Sequence, residues 1–76
     1  MNFIQITDYS VCSATNYIPA NRLINLEYIS RIDLNPTDVY HGKVKGLYTI
    51  YLAANNMYMN VTETDFRRIL NAIGYR

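Results

Sequence analysis

Tryptophan is absent, and cysteine occurs once, at Cys12. A single cysteine excludes an intramolecular disulfide and any zinc site built from several thiolates. Lysine is scarce too: Lys43 and Lys45 are the only two, and the formal net charge is +1. So small a charge provides no long-range attraction to nucleic acid or to an anionic membrane surface. The longest apolar run is Ile50-Tyr51-Leu52-Ala53-Ala54, far too short to cross a bilayer, so no membrane partner is expected. Met1-Asn2-Phe3-Ile4-Gln5 shows neither the basic nor the apolar region of a secretory signal. The expectation is a cytoplasmic, reducing location.

What is plentiful is tyrosine, with eight residues among 76. A tyrosine offers apolar area and a polar tip at low entropic cost, so an excess suits contact surfaces. The length supports a single domain over 1–76, with a core so thin that a partner subunit is a natural way to strengthen it.

The C-terminal helix is the clearest element. Thr62-Glu63-Thr64-Asp65 resembles a capping box, with Thr62 accepting from the third helical amide and Asp65 reaching back. Phe66, Ile69, Leu70 and Ile73 then recur at helical spacing and form one apolar stripe. Gly74 stands where a left-handed residue would end the helix, which gives a helix over 63–73.

Upstream, Leu47–Ala54 and Met57–Val61 flank Asn55-Asn56, residues that tolerate the positive φ of a tight turn. A two-residue loop pairs Ala54 with Met57, Leu52 with Met59 and Ile50 with Val61, placing all six on one apolar face. Tyr51, Ala53, Tyr58 and Asn60 fall on the other. Strands are also expected over Ile29–Leu34, with Ile32 and Leu34 inward, over Arg22–Leu26, and over Phe3–Tyr9 with Ile4 and Ile6 inward. Glu27-Tyr28 breaks the alternation and marks a bulge or bend. The fold class is therefore α+β: a small antiparallel sheet of three to five strands packed against one C-terminal helix.

No motif carries chemistry. Cys12 and His41 share no spacing that links a nucleophile to a base. Glu63 and Asp65 are explained by the helix dipole, which favours negative charge in the first turn. Gly42-Lys43-Val44-Lys45-Gly46 lacks the spacing of a phosphate-cradling loop and reads as a solvated connection. Arg67-Arg68 lies off the apolar stripe, within pairing distance of Glu63 and Asp65. Asn60-Val61-Thr62 fits a glycosylation pattern but falls in a strand. No enzyme, metal or cofactor is expected.

The run from Ile24 to Ile73 has I-N-L-x-x-I-x-x-I, a polar loop, an alternating hairpin, then T-E-T-D-F and a helix. It resembles the small flagellar FlbD-type proteins and, more distantly, the sheet-and-helix end of LytTR DNA-binding domains. The resemblance covers about two-thirds of the chain and consists of hydrophobic spacing. The turn departs from the FlbD pattern, with Asn55-Asn56 in place of Asn-Gly or Asp-Gly. It implies an accessory or regulatory protein and carries over no functional residue.

Two functions follow as expectations. The first is a non-catalytic protein-binding module: an accessory subunit, adaptor or stoichiometric inhibitor, of the kind found in cells, phages or plasmids. It would act through a sheet edge and Tyr40, Tyr48, Tyr51 and Tyr58. An open sheet with few charged edge guards also favours a homo-oligomer, a dimer above all. The second is a nucleic-acid-binding regulator using Arg31, Lys43 and Lys45 beside the tyrosines, since positive charge among stacking rings is how a sheet holds single strands.

Overall fold

The computed structural model describes residues 2–38, 44–54 and 57–75. Two small antiparallel sheets and one C-terminal helix make an α+β fold. β1 (Phe3–Asp8) pairs with β2 (Ala20–Asn25), and β3 (Ile29–Ile32), β4 (Tyr48–Leu52) and β5 (Tyr58–Val61) form a three-stranded sheet in that order. α1 spans Glu63–Ile73, the expected bounds.

The helix boundaries have local causes. Thr62 accepts from the Asp65 amide at 3.4 Å. Gly74 sits at φ 82°, and Tyr75 donates its amide back to the Leu70 carbonyl, which caps the C-terminal end. Nothing crowds a side chain at Gly74, so only its left-handed φ resists substitution. Gly74→Ala is expected to cost about 1 kcal/mol through that φ, and thermal unfolding measures it. Asp65 does not complete the capping box. Its carboxylate accepts from the Thr7 amide at 3.0 Å and from Arg68 at 2.8 Å, so it is engaged by β1 rather than by its own N-cap.

Phe66 and Ile69 bury the front of the helix stripe against Ile6, Ile24, Ile50, Met59 and Val61. Leu70 packs at the margin, whereas Ile73 is 45% exposed. Ile4 and Ile6 point inward as expected. Leu34 does not: it lies in a bend beyond the end of β3 and is 50% exposed.

The hairpin keeps its expected faces but not its expected partners. Ile50 pairs with Met59, Tyr48 with Val61 and Tyr51 with Tyr58, a slip of two residues from the two-residue-loop register. The ladder closes where Leu52 donates to Met57 at 2.8 Å; Asn55-Asn56 lie outside the described residues. Side chains alternate with period two, so a slip of two preserves the apolar face. The exchange leaves Ala54 exposed and brings Tyr48 in, stacked on Phe66 with centroids 3.9 Å apart. A full aromatic contact replaces a single methyl group.

Between β2 and β3 the chain makes a short 3-10 turn, Leu26–Tyr28, where the sequence breaks alternation. The Asn25 side chain caps it by accepting from the Glu27 amide at 3.0 Å. β2 therefore ends one residue earlier than the alternation suggests. A further irregularity between Ile29 and Arg31 leaves Ser30 bulged against β4.

β1 has a second edge, and the helix side chains and the β5 backbone close it. The Thr7 amide donates to Asp65, the Gln5 carbonyl accepts from Arg68 at 2.9 Å, and the Tyr9 amide donates to the Asn60 carbonyl at 2.8 Å. The helix and β5 thus take the ladder groups that a neighbouring strand would otherwise claim. The outer edges of β1 and β5 are closed by these contacts, whereas those of β2 and β3 have no pairing strand among the described residues.

Candidate functional site

β3, β4 and β5 bring together three of the residues singled out from the sequence. The Arg31 guanidinium lies 3.9 Å from the centroid of the Tyr51 ring, a cation–π contact. Tyr51 and Tyr58, opposite each other across β4 and β5, have centroids 6.4 Å apart. Arg31 also reaches Asp33 at 3.3 Å. An open hollow of about 600 Å³ beside this cluster is lined by Arg31, Asp33, Pro36, Thr49 and Tyr51, among others. Tyr58 is 48% exposed and Arg31 more so, and a surface contact of this kind contributes only about 0.5–1 kcal/mol to stability. Its rings are held in place and remain open to a ligand.

The other expected residues lie elsewhere. Tyr48 is half-buried against Phe66 on the helix side of the sheet, away from Tyr51 and Tyr58. Lys45 is exposed in the segment leading to β4. Tyr40, Lys43 and His41 lie outside the described residues. Cys12 is buried, and the Asn60 side chain, 3% exposed, accepts from Thr49 at 2.8 Å. Arg67 and Arg68 pair with Glu63 and Asp65 at 2.9 and 2.8 Å, as helical spacing predicts. Among the described residues no group of three His, Cys, Asp or Glu gathers as a metal site would require. No described helix is long and apolar enough to cross a membrane.

On the opposite side of the β3 edge lies an apolar hollow of about 300 Å³ where Ile29, Ile32, Leu34, Leu70, Ile73 and Tyr75 converge. The β3 edge therefore has a charged, aromatic flank on one face and a greasy flank on the other.

Sequence reasoning did not find the buried carboxylate of Asp8. It accepts from the Ser10 amide and hydroxyl, both at 2.9 Å, from Arg22 at 2.8 Å and from the Asn60 amide at 3.1 Å. Burial pushes its pKa up, but the Ser10 and Asn60 amides, the Arg22 guanidinium and the Ser10 hydroxyl outweigh burial and hold it below the usual carboxylate value. All four donors come from the chain itself, so this carboxylate is occupied with joining β1, β2 and β5. A signal was present in the sequence: Ile4, Ile6 and Asp8 share the inward parity of β1. A charge at an inward position demands a partner.

The chain matches no known family model, no curated protein and no solved structure.

Proposed function

We propose that the chain is a small non-catalytic protein-binding module acting through the β3 edge and the face that carries Arg31, Tyr51 and Tyr58. One observation carries the reading: the pre-positioned Arg31–Tyr51–Tyr58 cluster lies directly beside an edge strand. Tyrosine and arginine are the residue types that anchor protein interfaces, and an unpaired strand offers main-chain hydrogen bonds to a partner. An accessory or regulatory role is what the resemblance of the hydrophobic spacing to FlbD-type proteins would imply.

Affinity capture from the source cell's lysate tests this, using wild type and the Tyr51→Ala/Tyr58→Ala double variant side by side. A protein recovered stoichiometrically with wild type is expected to fall at least tenfold with the variant. Equal recovery by a folded variant would remove these tyrosines from the site.

The same cluster supports a second reading, because an arginine stacked beside two exposed rings is also a platform for single-stranded nucleic acid. Asp33, which shares Arg31, opposes it. Binding of a single-stranded oligonucleotide at low ionic strength that weakens steeply with salt would move the assignment to nucleic acid.

A further inference from the structure

The hydrogen-bond parity of β3 fixes which of its backbone groups face outward. Asp33 donates its amide to Thr49 in β4 at 3.1 Å, and Ile32 stands opposite Ile50 as the next pair. Adjacent residues of an antiparallel strand direct their backbone groups to opposite sides. The N–H and C=O of Ile32 therefore point away from β4, along the unpaired edge.

Around Ile32 the side chains are self-complementary. Arg31 and Asp33 flank it on the outer face, one of each sign. We propose that a second copy of this chain pairs antiparallel along β3, with the twofold axis at Ile32. In that register Ile32 exchanges both backbone hydrogen bonds with its own counterpart. Arg31 stands opposite Asp33 of the second copy, and Asp33 opposite its Arg31, giving two ion pairs at non-hydrogen-bonded positions where side chains approach most closely. A twofold axis perpendicular to the sheet keeps each face on its own side. Both helices then lie on one face, and Ile73 and Tyr75, 45% and 52% exposed, are brought toward the axis from each copy. The other face carries two Arg31–Tyr51–Tyr58 clusters on one continuous six-stranded sheet.

β2, the other edge, has no such complementarity, because its single charge, Arg22, is turned inward to Asp8. The proposal rests on the reading of β3 as a protein-pairing edge and names its occupant.

Solution mass by light scattering across a concentration series tests it. Wild type is expected at two-chain mass in the tens of micromolar, with Arg31→Asp and Asp33→Arg each weakening the dimer by roughly tenfold or more. The double swap Arg31→Asp/Asp33→Arg restores the opposite charges and is expected to return the two-chain mass. Circular dichroism confirms folding, and Asp33→Arg retains the Arg31–Tyr51 contact should Arg31→Asp unfold. Protection of the Ile32 amide from hydrogen exchange is expected to rise with concentration in step with mass. A one-chain mass for wild type throughout, or a dimer indifferent to the single charge changes, overturns the proposal. A monomer that still loses its captured protein on Tyr51→Ala/Tyr58→Ala would leave the binding-module reading intact. A charge-sensitive dimer whose capture ignores those tyrosines would do the reverse.

Discussion

Asp8→Ala is expected to destabilise the fold by about 3–5 kcal/mol, measured by denaturant unfolding. The carboxylate is 1% exposed and joins three strands. Removing it orphans the Ser10 and Asn60 amides, each at about 1–3 kcal/mol if left buried and unpaired. Arg22 adds less than a buried cation would, because at 36% exposure it can turn to water. Asp8→Asn retains an acceptor while giving up the charge, so about 2 kcal/mol is expected.

The same carboxylate sets a response to acid. Its folded pKa lies below the ordinary value of 3.8, so the folded chain binds this proton less tightly than the unfolded one. Its contribution to stability is complete above about pH 5 and is lost as the pH falls past 3.8 through the lower folded value. Asp8→Asn is expected to flatten stability against pH in that window. An acid profile as steep as that of wild type would mean that other carboxylates dominate.

Phe66→Ala carries the second large effect, about 3–5 kcal/mol, by the same unfolding measurement. Phe66 is 5% exposed, belongs to the central cluster and stacks with Tyr48 at an interplanar angle of 12°. Alanine opens a cavity and leaves the Tyr48 ring without its partner. Phe66→Leu fills most of that volume, and a loss less than half as large is expected. A domain of this length has only about 4–11 kcal/mol of stability in total, so Phe66→Ala should leave a measurable unfolded fraction at ambient temperature. Equal losses for both variants would show that the ring stack, rather than filled volume, carries the contribution.

Local physics made the helix legible from the sequence, including both ends, because its cap, periodicity and terminal glycine all lie within a dozen residues. The hairpin's faces were legible for a similar reason, since alternation reports face. Alternation cannot report pairing, because a slip of two residues leaves it unchanged, and the choice fell to Tyr48 meeting Phe66 across the fold. Asp65 reads as a capping residue locally and is claimed by β1, which lies 58 residues away in sequence. At the site, positive charge near tyrosines could be named, but not that Arg31 and Tyr51 would stack while Tyr48 turned inward. That division depends on the bulge at Ser30 and the register of β4, which are tertiary outcomes.

The proposed interaction surface is the β3 edge together with the Arg31–Tyr51–Tyr58 face. Amide hydrogen exchange on the chain alone, and with the protein it captures, tests this most directly. On the chain alone, protection over 29–34 is expected to rise with concentration, and the captured protein is expected to add protection over 48–52 and 57–61. Protection gained instead along β1 and β2, around Phe3 and Leu23, with β3 and β4 unchanged, would contradict it.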